Sequence, residues 1–144
     1  MRARAQVFAL AVFFGGMSTL ASPRTVRVVI ADDESVFIEA LAAMLELEDG
    51  VEVVGRAHDG LEALRLVAAV QPDIVLMDLR MPRLNGIEAT RRLRTEFPSV
   101  KVLIVTGSDA PADIERARQA GAAGYVKKER AGTDLTETLF EIAA

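Results

Sequence analysis

The stretch from Val28 to Val36, VVIADDESV, decides the fold class. A run of apolar and β-branched residues stops at three consecutive acids, Asp32, Asp33 and Glu34. Apolar runs that end at polar residues are typical of buried strands. Neighbouring carboxylates at the end of a buried strand repel one another unless a positive charge lies close to them. The rest of the sequence must therefore supply a positive partner.

Outward from this stretch, short apolar runs alternate with amphipathic helical patterns. The predicted strands are residues 25–31, 51–55, 73–78, 101–107 and 124–128, and a predicted helix follows each of them. Five strands that alternate with five helices through short loops are typical of a parallel sheet covered on both faces. Right-handed crossovers favour a doubly wound α/β sheet, and we expect the flavodoxin-like strand order 2-1-3-4-5.

Composition excludes several classes of protein. A length of 144 residues suits one folded domain, and the net charge of −4 gives no electrostatic footprint for nucleic acid over the whole chain. The sequence contains no cysteine, which excludes a disulfide framework and a thiolate metal site.

Residues 1–24 form an N-terminal extension to a folded domain expected at residues 25–144. Two arginines, an apolar stretch from Ala5 to Met17 and small residues up to Ala21 are typical of a secretory signal peptide. The alternative is that Met17 is the true start and that the residues before it are mis-assigned. In either case, we expect no core strand before Thr25.

Polar residues collect where the predicted strands end. Asp32 and Asp33 end the first strand and Asp78 ends the third, which is its neighbour in the order 2-1-3-4-5. Ligands of doubly wound sheets bind beyond the carboxyl ends of the strands, and adjacent strands lie about 4.8 Å apart. The three carboxylates should therefore converge on a volume one ion wide. Oxygen ligands without histidine or cysteine nearby favour a hard cation, Mg²⁺ or Ca²⁺.

Each of these polar residues also has an ordinary structural explanation. Asp33, Glu34 or Ser35 could simply cap the first helix, where acids suit the helix dipole. Thr106 at the end of strand four and Lys128 after strand five fit ordinary strand and surface chemistry. Four such groups, at the carboxyl ends of strands one, three, four and five, are much less expected by chance. Their joint occurrence favours a single site.

Four segments together resemble the receiver domain of two-component response regulators of the NarL/FixJ type. They are VVIADDES, DIVLMDLRMPRLNGIEATRRLR, VLIVTGS and AGAAGYVKK. The resemblance covers residues 25–144. It implies a phosphorelay module of signal transduction, not an enzyme, that accepts a phosphoryl group from a sensor histidine kinase or a phosphotransfer protein.

The resemblance also implies roles for the acids. Asp78 resembles the phosphoacceptor aspartate. Asp32 and Asp33 resemble the pair that holds Mg²⁺, to which Asp78 and the backbone carbonyl of Arg80 also contribute. Gly86 matches the turn that follows the acceptor.

The remaining site residues are implied in the same way. Thr106 resembles the switch hydroxyl that contacts the phosphoryl group, and Tyr125 resembles the aromatic residue coupled to it. Lys128 resembles the lysine that pairs with the phosphate. It is preferred to Lys127 because the family lysine lies three residues past the aromatic residue.

Regulators of this type usually continue into a DNA-binding domain, whereas this chain ends at Ala144. We therefore expect a stand-alone receiver with no direct nucleic-acid or membrane binding. Its output would pass through a partner or a homodimer, at the face of the fourth helix, fifth strand and fifth helix. A truncated transcriptional regulator is an alternative.

Two further expectations follow from the resemblance. A receiver meets its phosphodonor in the cytoplasm, so a cytoplasmic location and a start at Met17 are favoured over export. A Mg²⁺-dependent phosphatase of the haloacid dehalogenase type is a second alternative. That family has an acid two residues after its nucleophilic aspartate, and Arg80 occupies the corresponding position after Asp78.

Overall fold

The computed structural model describes residues 5–8 and 25–144, so the expectations for residues 9–24, including Met17, lie outside the described residues. The strands are β1 (Gln6–Val7), β2 (Val26–Ala31), β3 (Val51–Ala57), β4 (Ile74–Met77), β5 (Lys101–Thr106) and β6 (Gly124–Lys127). The helices are α1 (Ser35–Glu46), α2 (Gly60–Val70), α3 (Gly86–Glu96), α4 (Pro111–Ala120) and α5 (Ala131–Ala143), and Lys128–Arg130 form a 3-10 turn before α5. Within the described ranges no helix is long and apolar enough to cross a bilayer.

The strands form one sheet in the order β1-β6-β5-β4-β2-β3. Strands β2 to β6 are the five predicted strands, all parallel, and their order confirms the predicted 2-1-3-4-5. One buried apolar cluster fills the space between the sheet and helices α1 and α5, and a second lies on the opposite face under α2, α3 and α4. The fold is therefore the predicted doubly wound α/β sheet.

The sheet also has a sixth strand that was not predicted. β1 is antiparallel to β6, with Gln6 opposite Tyr125 and Val7 opposite Gly124. From the sequence, no core strand was expected before Thr25, and β1 is a partly exposed strand of two residues at the edge of the sheet. A strand of two residues has no detectable periodicity, and its partner lies at the far end of the chain, so local sequence patterns do not indicate it.

The loop between β4 and α3 is anchored to the start of α2. Asp59 caps α2 by accepting a hydrogen bond from the Glu62 N–H at 2.8 Å, and its other carboxylate oxygen accepts one from Arg83 Nε at 3.0 Å. The Gly60 N–H donates to the Leu84 carbonyl at 3.1 Å. A Cβ atom at Gly60 would lie 2.1 Å from that carbonyl oxygen, so only glycine permits this approach.

Candidate functional site

Two buried acids extend the sheet by one residue at its carboxyl edge. The Asp32 N–H donates to the Ala57 carbonyl at 3.0 Å, and the Asp78 N–H donates to the Ala31 carbonyl at 2.9 Å. β2 and β4 are neighbours, so both side chains emerge at the same edge. One carboxylate oxygen from each of Asp32, Asp33 and Asp78 lies within 4.8 Å of the other two. The structure therefore brings together the three acids that the sequence placed at one site.

Among the described residues, Lys128 is the positive partner of these acids. Its Nζ lies 2.8 Å from Oδ2 of Asp32, 2.7 Å from Oε1 of Glu34 and 3.3 Å from Oδ2 of Asp78. The ammonium group also lies 4.6 Å from the centre of the Phe37 ring, a favourable cation–π distance. One cation thus faces the acids that end β2 and β4.

Burial and charge act in opposite directions on these groups. Burial raises the pKa of Asp32, and the nearby Asp78 adds to the increase, although hydrogen bonds from Lys128 and the Glu34 N–H oppose it. Burial alone would lower the pKa of Lys128, but its hydrogen bonds to Asp32 and Glu34 and the charge of Asp78 outweigh burial. The net pKa of Lys128 is raised, so the ammonium ion persists at neutral pH.

The Asp78 carboxylate is held in a defined orientation. Its Oδ1 accepts a hydrogen bond from the Leu79 N–H at 2.8 Å, which leaves Oδ2 facing Lys128. A Cβ atom at Gly86 would lie 2.0 Å from the Asp78 carbonyl oxygen, so the start of α3 packs directly against the backbone of this acid. Asp78 is 6% exposed, so the carboxylate is almost fully buried.

The donor set fits a hard divalent cation. All three groups in the cluster are carboxylates. Apart from its ion pair with Lys128, the buried Oδ2 of Asp32 has no hydrogen bond with the described residues, so it can still accept a ligand. The capping explanation for the acids is not supported, because Glu34 is the N-cap residue of α1 and its side chain makes no capping hydrogen bond. Asp32 instead accepts the Glu34 N–H at 2.8 Å.

The predicted switch residues lie on the next two strands. Thr106 ends β5, is 2% exposed, and its hydroxyl makes no hydrogen bond within the described part of the chain. Tyr125 is equally buried, and its hydroxyl donates to the carbonyl of Ser108 in the loop after β5. Burial raises the pKa of Tyr125 despite that hydrogen bond, so the phenol stays neutral. Tyr125 is therefore connected to the loop that follows Thr106.

The two adjacent lysines have different acidic partners. Lys127 Nζ pairs with Asp109 at 3.1 Å and with Glu129 at 2.8 Å, whereas only Lys128 reaches Asp78 among these two. The structure thus places Lys128, and not Lys127, beside Asp78.

Sequence reasoning missed a further buried acid near the cluster. Asp113, in the first turn of α4, is 7% exposed and accepts hydrogen bonds from the Ser108 hydroxyl and from Arg116. Arg80 lies 3.8 Å from the same carboxylate. An acid in the first turn of a helix is ordinary from the sequence alone, and only the fold shows its contacts with the loops after β4 and β5.

A groove of about 690 Å³ opens beside the acidic cluster. Its lining includes Asp33, Met81, Arg80, Arg91 and Arg116. The three arginines come from the loop after β4, from α3 and from α4. Glu88 and Asp113 line the same groove and pair with Arg91 and Arg116, so the border of the acidic site carries charges of both signs.

Residues 28–140 match the family model described as the response regulator receiver domain. The chain is 36% identical over 117 residues to the transcriptional regulatory protein LnrK of Bacillus subtilis, covering 81% of this chain and 53% of LnrK. It is 37% identical over 121 residues to the probable transcriptional regulatory protein NarL of Mycobacterium tuberculosis, covering 84% and 56%. The solved signal receiver domain of that putative regulator superposes with a TM-score of 0.80 at 37% identity, covering 84% of this chain and 98% of that domain.

The chain spans about half the length of the curated relatives it matches. Those relatives are named as transcriptional regulatory proteins. The expectation of a stand-alone module without nucleic-acid output therefore receives no support from them.

Proposed function

Because the chain belongs to the response regulator receiver family, we propose that residues 25–144 form a receiver domain whose phosphoacceptor is Asp78, preceded by an extension at residues 1–24. The observation that supports this assignment best is the contact of Lys128 with Asp78 beside Asp32 and Asp33. A nucleophilic carboxylate, a cation that neutralises phosphoryl charge and two further acids then share one edge of the sheet.

The chemistry is phosphoryl transfer from a phosphohistidine of a sensor kinase or phosphotransfer protein. An oxygen of Asp78 forms a bond to phosphorus while the P–N bond breaks, and the imidazole leaves with the electron pair. Lys128 faces Oδ2 of Asp78 and pairs with the phosphoryl oxygens, which is electrostatic stabilisation by a preplaced charge. Asp78 itself carries the product, so the chain is the acceptor and not a turnover enzyme.

Mg²⁺ is the cofactor we assign to the acidic cluster. Asp32, Asp33, Asp78 and the backbone carbonyl of Arg80 would hold it. When bound, Mg²⁺ offsets the negative charge that the carboxylates and the phosphoryl oxygens bring together.

The direct test is phosphorylation of the protein by a small-molecule donor. Incubation with acetyl phosphate and Mg²⁺ should add one phosphoryl group, detected as intact mass, and the adduct should be removed by hydroxylamine as acyl phosphates are. Chelation of Mg²⁺ by EDTA should prevent the reaction. A chain that remains unmodified with excess donor and Mg²⁺ would overturn the proposed function.

Thr106 and Tyr125 would convert the phosphoryl group into a change of surface. A phosphoryl group adds up to about two negative charges and new acceptor oxygens. The free Thr106 hydroxyl is a donor that can turn toward it, which draws the Ser108 loop inward and releases Tyr125 from its present hydrogen bond. The buried apolar residues of helix α4 are two alanines, Ala117 and Ala120, so the helix should shift at low cost. The output face is then α4, β6 and α5.

Replacing Thr106 by alanine should separate phosphorylation from the switch. The Thr106→Ala chain should still take up phosphate at Asp78 but lose most of the phosphorylation-dependent change at residues 108–130, because the hydrogen bond that starts the change is absent. NMR shifts of that region measure the response. Thr106→Ser keeps the hydroxyl and is the matched control. A wild-type response in Thr106→Ala would contradict the coupling without affecting Asp78.

Two wider assignments accompany this proposal. Phosphohistidine donors are made with cytoplasmic ATP, so we place the domain in the cytoplasm. No observation favours the haloacid dehalogenase alternative, because Arg80 stands where that family has its second acid.

A further inference from the structure

The outer edge of β6 is covered by a short segment from the other end of the chain. We call residues 5–8 the N-terminal cap, and the backbone of residues 123–125 the β6 edge. The register is Gln6 with Tyr125 and Val7 with Gly124. Beyond it, the Phe8 N–H donates to the Ala123 carbonyl at 2.9 Å. An uncovered edge strand presents unpaired N–H and C=O groups to any other extended chain.

The first residue of the cap is tied to α5. The Ala5 N–H donates to Oδ2 of Asp134 at 3.2 Å. The same carboxylate accepts two hydrogen bonds from Arg130, at 3.2 Å and 3.3 Å. Arg130 belongs to the 3-10 turn that begins with Lys128, the lysine that contacts Asp78. Movement of Lys128 toward a phosphoryl group would therefore displace Arg130 and, through its hydrogen bonds, Asp134.

The middle of the cap is tied to the predicted switch residue. Gln6 is the register partner of Tyr125, whose hydroxyl bonds the Ser108 carbonyl. A movement of the Ser108 loop can therefore displace the cap through Tyr125. Two separate connections thus join the cap to the groups that would answer a phosphoryl group on Asp78.

The cap fits the β6 edge closely. A Cβ atom at Gly124 would lie 2.8 Å from the Gln6 carbonyl oxygen, so the absence of a side chain lets the two strands approach. Val7 packs against the apolar cluster under α1 and α5, and Phe8 packs against the cluster on the opposite face. The side chains of the cap therefore straddle the sheet edge and contact both layers.

We infer that the β6 edge is a docking surface for an extended antiparallel strand, occupied within the chain by the N-terminal cap and vacated when Asp78 is phosphorylated. The release step rests on the proposed function. A ladder of two residues is among the least stable elements of a fold, so small displacements of Tyr125 and Asp134 suffice to detach it.

Hydrogen–deuterium exchange of the full chain tests both parts. Phe8→Pro removes the N–H that bonds Ala123, and Phe8→Ala is the matched control that loses the ring but keeps the N–H. In the unphosphorylated protein, outward-facing amides of the β6 edge should exchange about tenfold faster in Phe8→Pro than in Phe8→Ala. Phosphorylation of the wild-type protein by acetyl phosphate and Mg²⁺ should produce the same increase in amide exchange at the β6 edge. The amides of residues 5–8 should also exchange faster.

The outcomes are separable because intact mass of each sample reports the phosphoryl group. Wild type that carries the group but keeps slow exchange at residues 5–8 and 123–125 would overturn the release of the cap. Equal exchange in the two Phe8 variants, both as fast as peptides without structure, would overturn the docked strand itself. A sample that gains no phosphoryl group contradicts the proposed function, and the cap is then decided by the two Phe8 variants alone.

Discussion

Asp78→Asn is expected to abolish phosphorylation completely. The amide has nearly the same shape and can still accept the Leu79 N–H that orients the side chain, so the fold should be retained. It lacks the anionic oxygen that attacks phosphorus, and it cannot form an acyl phosphate. Intact mass after incubation with acetyl phosphate and Mg²⁺ should therefore show an unmodified chain.

The matched control for this variant is Asp109→Asn. Asp109 is an exposed acid in the loop after β5 that pairs with Lys127, and its replacement changes the net charge by the same amount. The control should be phosphorylated at the wild-type rate. A phosphoryl group on Asp78→Asn that hydroxylamine removes would show that another carboxylate is the acceptor.

Asp33→Ala is expected to weaken Mg²⁺ binding and phosphorylation together. Asp33 is exposed and makes no hydrogen bond or ion pair with the described residues, so its removal should leave the protein folded. The loss in Mg²⁺ affinity should exceed about tenfold. Replacing residues that only hydrogen-bond to metal ligands already lowers metal affinity by about that factor. Calorimetric titration with MgCl₂ measures the affinity.

Glu34→Ala separates a ligand effect from a general loss of charge. Glu34 is the adjacent acid and is also exposed, but it pairs with Lys128 and is not part of the three-carboxylate cluster. Both variants lose one negative charge at neighbouring positions. Mg²⁺ affinity should fall far more in Asp33→Ala, and equal affinities in the two variants would show that Asp33 is not a ligand.

The parallel sheet was predictable because each of its strands is an apolar run with a clear end. The expected order 2-1-3-4-5 placed the acids after residues 31 and 77 on neighbouring strands, and the structure has that order. β1 could not be predicted in this way. Its two residues lie in an apolar stretch that is typical of a signal peptide, and their structure depends on contacts with Gly124 and Tyr125 at the other end of the chain.

The site was predictable to the level of residue type and strand end, but its contacts were not. The sequence indicated that Lys128 belongs with the acids, whereas the pairing with Glu34 and the stacking over Phe37 arise from where α1 begins. Asp113 was missed for a related reason. Its burial comes from the approach of two loops, and no local pattern records that approach.

The anchoring of the loop after β4 has a consequence for the thermodynamics of ion binding. Arg83 and Leu84 form hydrogen bonds with Asp59 and Gly60 at the start of α2. Gly86 packs against the backbone of Asp78. The segment that carries the Arg80 carbonyl is therefore anchored at its C-terminal end. Its conformational entropy is lost during folding. A cation that arrives later does not have to order the loop, so this preorganisation should appear as tighter binding from the same set of ligands.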